Sequence, residues 1–496
     1  MSTTRPVAER GDRTVSLRRM PRWYVTLFSS DLLERFGFYA MQAVLVLYAA
    51  APASGGGLGL ATADAAGLFG AWIGVMFVLS LPGGWLGDRV LGHRRAMIAG
   101  CVAAVLGYLC LAIPGGWTAA AGLSLVAIGG GMFKSNQNAL TNLMFGGHRG
   151  RESGISLMYV GTQVSALLAP LVTGFLGERG NWPAAFAVAA VAMAVCGVLL
   201  AVTARQFAEV GTRPARPLDA PERRRALRRT GAVVVVLAAV LAGFAVGGVL
   251  GVTAVLALSG LLSIVAPVVG YVLLYREKAL GPGDRRRLRA FLAVFLGATL
   301  FWMIIAHSAS LLNLFARDHI DRDVLGFTVP ASWLQSATPV FILLLAPAVA
   351  TVLPRIGERH NVAVKFSAGL LLVGTGFVVM AVAALIASDG SRLSPLWLVA
   401  VYLTHACGEV TIAAVSISAA ADVLPRQFLG RTLGMLWLFA ALGGGVGSVV
   451  VRLRDVVPEP GYYLGLGGLA LVCGVVFALR RRTLTRALAK DEAFAA

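Results

Sequence analysis

The residues whose chemistry most needs explaining are charged side chains inside long apolar stretches, because a charge in apolar surroundings is costly unless it is paired or used. Near the N-terminus Asp31, Glu34, Arg35, Phe38 and Gln42 are spaced by three and four, which puts most of them on one helical face. Lys134 follows Gly129-Gly-Gly-Met-Phe and precedes Ser135 and Asn136, so a single ammonium sits beside glycines that permit close helix approach. Near the C-terminus His405 and Glu409 lie four apart and share a face. These three helices are expected to converge on one aqueous cavity in which acids and cations meet. His405 and Glu409 are too few ligands for a metal site, so no metal and no cofactor is expected. They are also the only candidate pair for an intramembrane enzyme, since the sequence has no Gly-x-Ser-x-Gly, His-Glu-x-x-His or Cys–His arrangement.

Hydropathy gives the elements that must position these residues. Of the 496 residues 57% are apolar and 59 more are glycine, while only 14% are charged, a balance far from that of soluble domains. It excludes an ordinary soluble enzyme and defines an all-α polytopic membrane protein. Spans of about 20 residues are expected near 22–49, 63–90, 94–113, 117–146, 153–177 and 182–204, then 230–248 and 252–275, then 289–316, 329–353, 362–387, 395–424, 429–451 and 460–479. The five cysteines lie in apolar stretches without paired spacing, which fits neither a disulfide framework nor a zinc site. A net charge of +19 would suit a nucleic-acid partner in a soluble chain, but here cationic loops are read as topology determinants and no nucleic acid is expected.

Topology follows from the cations. With the N-terminus inside, 35 of the 43 Lys and Arg fall in inner segments and six in outer ones, which puts both termini in the cytoplasm of a multi-pass protein of the cell membrane. Only Arg35 and Lys134 are left within spans. The N-terminal apolar stretch carries Asp31, Glu34 and Arg35 and lacks a small-residue cleavage site, so it reads as a retained helix and not a signal peptide. The expected organisation is an N-terminal six-helix bundle (1–204), a cytoplasmic Arg/Pro linker (205–229), an uncharged two-helix insertion packed peripherally (230–275), a second cytoplasmic linker (276–288), and a C-terminal six-helix bundle with a cytoplasmic tail (289–496). A faint repeat relates the halves: Gly92-His-Arg94 after the second span and Gly357-Glu-Arg359 in the second half both place Gly-x-Arg just inside the membrane, as expected of repeated bundles around a midplane site. Asp88, Arg89 and Arg94 of the first of these loops are the gating candidates.

Taken in order, the motifs resemble one family. Glu34-Arg35-Phe36-Gly37-Phe38-Tyr39-Ala40-Met41 resembles the E-x-x-E-R-F-x-Y-Y-G signature of the proton-dependent oligopeptide transporter family, within the major facilitator superfamily. Further matches are Gly83-Gly-Trp-Leu-Gly87-Asp88-Arg89, Gly-Met-Phe-Lys134-Ser-Asn136, Arg151-Glu-Ser-Gly-Ile-Ser-Leu-Met-Tyr159, Phe301-Trp302, Leu312-Asn313-Leu314-Phe315, Ser332-Trp333-Leu334-Gln335-Ser336 and Gly408-Glu409. They run from residue 31 to about 440 in the family's order, and six plus two plus six spans is its usual bacterial layout. The resemblance implies the major facilitator fold, two six-helix bundles plus two extra helices. It implies that Asp31 (in place of the usual Glu), Glu34, Arg35 and Lys134 couple proton movement to conformational change, and that Glu409 contacts the peptide amino group and pairs with Lys134 at the inner gate. Tyr39 and Trp437 match pocket-lining aromatics, and Asn136, Tyr159, Trp302 and His405 are placed with them in the substrate-facing set.

The departures bear on the substrate. The family's Arg that clamps the peptide carboxylate is Gln42 here, its Glu partner falls on Ala306, and the Gln beside that Glu becomes His307. Losing both charges together leaves none unpaired. Two Asn positions read Gln163 and Thr338, and His307 becomes the candidate to have taken over part of the lost acid's proton role. The leading expectation is a proton-driven secondary transporter of di- and tripeptides or peptide-like molecules by alternating access, a monomer whose partners are substrate, protons and membrane lipid. The alternative is an exporter of a peptide-derived metabolite or drug-like compound from which the carboxylate clamp has been lost.

Overall fold

A chain that crosses lipid must satisfy its backbone hydrogen bonds within itself, so its long apolar runs become helices. The structure is a computed structural model and describes residues 20–146, 151–214, 217–226, 228, 231, 252–352, 362–425 and 428–488. Among them are thirteen helical segments long and apolar enough to span a membrane. In the N-terminal half they are α1 (Arg22–Ala50), α2 (Thr62–Leu86, prolonged by a π-helical turn over Gly87–Leu91), α3 (His93–Leu111), α4 (Gly116–Phe145), α5 (Arg151–Gly177) and α6 (Trp182–Val202). Next comes α7 (Val252–Tyr275), the second helix of the expected insertion; the first, at 230–248, lies outside the described residues, as does the Gly357–Arg359 part of the repeat. The C-terminal half comprises α8 (Pro282–Ala306), α9 (Leu311–His319), α10 (Ala337–Val352), α11 (Val362–Ala387), α12 (Leu396–Asp422), α13 (Leu429–Val450) and α14 (Glu459–Leu479), with a short α15 (Arg481–Leu488) after it. Between α9 and α10 a two-stranded hairpin, Asp323–Val324 with Phe327–Thr328, leads into a 3-10 helix, Ala331–Ser336.

The span expected at 289–316 is broken. Helix α8 stops at Ala306, His307–Ala309 form a single 3-10 turn, and α9 resumes at Leu311. Side chains take up the carbonyls disturbed by the break: His307 Nδ1 bonds to the Met303 carbonyl at 2.6 Å, Ser310 Oγ donates to Ala306 at 2.9 Å and Asn313 Nδ2 to Ala309 at 3.4 Å. Such side-chain substitution keeps an interrupted helix tolerable at membrane depth.

Small residues decide where helices cross, since van der Waals fit replaces the hydrophobic effect between helices in lipid. At the junction of the two halves Gly70 of α2 meets Gly444 of α13, where a Cβ on Gly70 would lie 2.8 Å from the Gly444 carbonyl oxygen. The buried Ser263 of α7 sits against Gly74 of α2 and Gly445 of α13, so this helix packs on both halves while its Leu261, Val268 and Leu273 face outward. Within the N-terminal half Gly131, three residues before Lys134, presses on α2. A Cβ there would lie 2.8 Å from the Leu79 carbonyl carbon and 3.0 Å from the Ser80 nitrogen. That backbone cannot yield unless α2 moves. Gly131→Ala is therefore expected to lower stability by about 1–3 kcal/mol, the usual cost of overpacking, whereas Gly468→Ala, with nothing within 4 Å of the added methyl, should leave it unchanged or slightly raised. Thermal unfolding of the two variants in detergent checks the contrast.

Candidate transport site

The charges of α1 separate into two ion pairs. Lys134 of α4 reaches Asp31, Nζ to Oδ1 at 2.9 Å, and also donates to Gln137 on its own helix at 3.1 Å. Thr162 of α5 approaches the other Asp31 oxygen at 3.5 Å. Arg35 folds onto its sequence neighbour, Nε and Nη2 each donating at 2.7 Å to the two oxygens of Glu34, while its guanidinium lies 4.8 Å from the Phe38 ring. A bidentate pair with a cation–π contact fixes both side chains. The Asp31–Lys134 pair is held differently, because the Asp31 side chain is 4% exposed and that of Lys134 33%. One partner is sealed in the helix packing and the other is partly exposed.

Glu409 of α12 is half-buried and lies near Tyr39 of α1 and Tyr159 of α5, both in the opposite half; among the described residues it has no hydrogen-bond or ion-pair partner. Tyr159 is 38% exposed despite lying well inside its span. Trp437 of α13 is 39% exposed and stacks on Phe77 of α2 with ring centroids 5.7 Å apart. Gln42, one turn beyond Tyr39, and Trp302, beside Phe301, are half-buried. The Thr338 hydroxyl is buried and has no partner among the described residues. Lys134 thus pairs with Asp31 in this state and not with Glu409.

Three residues of the expected set sit in helix packing. Asn136 donates from Nδ2 to the carbonyls of Gly83 and Met132 at 2.8 and 2.7 Å, and its Oδ1 lies 3.0 Å from His93 Nδ1, which ties α4 to α2 and α3. His307 bonds through Nε2 to the Tyr462 hydroxyl of α14 at 2.7 Å, and His405 through Nδ1 to Ser308 Oγ at 2.8 Å. The Phe377 ring contacts both imidazoles, at 5.7 and 5.8 Å. Both histidines are fully buried within the C-terminal half. The loop after α2 is clasped by the segment that follows α6: Arg89 meets Glu222 at 2.5 Å, Asp88 lies 3.4 Å from His93, and the Arg94 amide donates to the Gly211 carbonyl at 3.0 Å.

Glu178, at the end of α5, is a residue the sequence reading missed. The 3-10 helix Ala331–Ser336 of the other half starts after Pro330, which offers no side-chain cap, and Glu178 supplies one. Its two oxygens accept from the Ala331 and Ser332 amides at 2.6 and 2.9 Å and from Ser332 Oγ at 2.6 Å, with Arg322 at 3.5 Å. Trp333 Nε1 donates to the Leu171 carbonyl at 3.0 Å and Ser336 Oγ to that of Leu167 at 3.2 Å. The one available signal was the Pro-Ala-Ser-Trp sequence itself, a helix start with orphan amides and no cap of its own. These bonds staple the halves together at the end of the molecule farthest from Met20 and Leu488. The exposed Lys134, Tyr159 and Trp437 all lie in the parts of their helices toward the other end.

Two helical halves, stapled to each other and carrying charges at membrane depth, make a secondary transporter of the repeated-bundle class. The sequence pattern that defines the POT family matches residues 94–464, and the chain belongs to that family. It is 30% identical over 472 residues to the uncharacterized transporter YclF of Bacillus subtilis (strain 168), covering 94% of this chain and 95% of that one. It is 28% identical to the di-/tripeptide transporter of Lactococcus lactis subsp. cremoris, over 94% and 96% of the two chains. The crystal structure of peptide transporter POT in complex with sulfate superposes with a TM-score of 0.90 at 31% identity, covering 96% of this chain and 97% of that one.

Removal of the staple has a predictable cost. Glu178→Ala leaves two backbone amides and Arg322 without their anion, and charge-assisted bonds of this kind are worth about 1.5–3 kcal/mol. We expect a lower melting temperature in detergent and faster labelling of a cysteine placed at Leu334, with Glu178→Gln intermediate. An unchanged melting temperature and labelling rate in Glu178→Ala would show that the staple carries no load.

Proposed function

We propose that the protein is a proton-coupled secondary transporter of di- and tripeptides or peptide-like molecules, working by alternating access across a cell membrane. The observation that carries this reading is the Asp31–Lys134 ion pair, standing beside a Glu409 that has no cation of its own among the described residues. A proton on Asp31 cancels the charge that holds Lys134. The ammonium is then free to turn toward Glu409 on the other half, and one elementary charge has changed which arrangement is favoured. A substrate amine at Glu409 competes for the same carboxylate, so that proton and substrate act on one equilibrium from two sides. Glu34 and Arg35, locked to each other, hold α1 in register while this exchange occurs. Tyr39, Gln42, Tyr159, Trp302, Thr338 and Trp437 line the substrate space in this reading, and the Asp88–Arg89–Arg94 loop, docked on the linker, restrains the end that opens.

The names of the relatives, a di-/tripeptide transporter and a peptide transporter among them, support peptides as the substrate class. The excess of cations on one side of the spans supports cytoplasmic termini, and the reading keeps two bundles, two linkers and an insertion at the boundaries read from the sequence. His307, bonded on both ring nitrogens, is better suited to hold the break between α8 and α9 than to take up a proton.

The test is uptake driven by a pH gradient into proteoliposomes, using labelled alanyl-alanine and its amide. Wild-type protein should accumulate at least one of them. Lys134→Ala should lose at least tenfold in gradient-driven uptake, because it removes, among the described residues, the one ammonium that can change partners and leaves Asp31 buried without one. Uptake by Lys134→Ala at the wild-type rate would overturn the coupling scheme.

A further inference from the structure

The charges around the space between the halves do not balance. Asp31 and Lys134 cancel across 2.9 Å, and Glu34 and Arg35 cancel across 2.7 Å. Glu409 is left over. The other polar side chains placed toward this space, Tyr39, Gln42, Tyr159 and Thr338, are neutral. Among the described residues the space therefore contains one uncompensated carboxylate and no uncompensated cation. Two imidazoles nearby do not alter the sum, since His307 and His405 are enclosed by Tyr462, Met303, Ser308 and Phe377 within the C-terminal half.

A carboxylate in low-dielectric surroundings that has no cation of its own gains more from an approaching cation, and repels an anion more, than the same group in water. A ligand with one ammonium brings the sum to zero. A zwitterion brings its own carboxylate into a space where every cation is already bound to an acid; it either gives up hydration without a partner or displaces Asp31 or Glu34 from an existing pair. We propose that the site selects ligands carrying one ammonium and no carboxylate, for which a peptide with an amidated or otherwise neutral C-terminal end is the chemical type. The ammonium sits at Glu409, and the neutral end faces Gln42 and its uncharged neighbours. This inference rests on the reading of the space between the halves as the substrate site.

Four alanine dipeptides separate the charges: the free zwitterion, the C-terminal amide (a cation), the N-acetylated acid (an anion) and the N-acetylated amide (neutral). Thermal-shift titration of the detergent-solubilised full chain at pH 6, below the amine pKa of about 8, measures binding without requiring transport. The amide is expected to bind at least tenfold tighter than the zwitterion, and the two N-acetylated peptides more weakly than either. Glu409→Gln should bring the amide down to the level of its acetylated counterpart, and a thermal shift for that variant with any of the four confirms that it is folded. A zwitterion that binds within threefold of the amide, or tighter, overturns the charge-selection inference while leaving peptide transport intact. Absence of binding by all four overturns the peptide site and this inference with it.

Discussion

In the proposed scheme the ion pair between Lys134 and Asp31 sets what the N-terminal half can do, because among the described residues it is the one place where a membrane-embedded cation is held by an acid on another helix and is also partly exposed. Removal of either member leaves an uncompensated charge, at a cost of about 3–5 kcal/mol for buried pairs. Neutralisation of Asp31 by a proton is a different event, since the acid stays in place and only its hold on the ammonium is lost. In the proposed scheme that distinction lets a structural pair serve as a switch. The close seat of α4 on α2, through Gly131 against Leu79 and Ser80, fixes where the ammonium can reach, so the glycines before Lys134 act on its electrostatics as much as on packing.

The two ends of the molecule are held by different kinds of bond. At the stapled end Glu178 binds backbone amides and Trp333 and Ser336 bind backbone carbonyls, so the contacts depend on the position of whole helices and not on side-chain rotamers. Toward the other end the charged groups are side chains that can exchange partners. A transporter that alternates between two openings needs this asymmetry, since a gate that tightens and loosens with protonation must differ chemically from one that responds only to the tilt of the bundles. Helix α7, seated through Ser263 on glycines of both α2 and α13, spans the seam where that tilt takes place.

The fold was legible because its signal is long and redundant: spans of apolar residues, few charges and a cation bias, each pointing the same way. Every described span falls where hydropathy places it, apart from the interruption at His307, where apolar neighbours hide a break made by side-chain bonds to Met303, Ala306 and Ala309. The charges that the proposed site uses were equally plain in the sequence, since a charge in a span stands out. Their partners were not. Asp31 and Glu34 occupy the same face of α1, and nothing in the sequence says that the first goes to Lys134 and the second to Arg35; that choice depends on the distance between α1 and α4, which the glycines of α4 set. Glu178 escaped notice because it lies in a loop where an acid next to Arg179 looks ordinary, and its role exists only once the uncapped helix of the other half is brought to it.

Asn136, His307 and His405 show why a polar residue at membrane depth is an ambiguous sign. Each stands at a position where a ligand contact would be reasonable from sequence, and each is bound to protein: Asn136 to two carbonyls and an imidazole, His307 to a carbonyl and a phenol, His405 to a serine hydroxyl. In lipid a helix that deviates from regular geometry needs side-chain donors nearby, and the deviations here are the π-helical turn after α2, beside Asn136, and the break after Ala306, beside the two histidines. Polar residues that repair backbone and polar residues that bind cargo are drawn from the same types, so only the count of satisfied bonds separates them. By that count Glu409, without a protein partner among the described residues, is the acid that the proposed function leaves to a ligand.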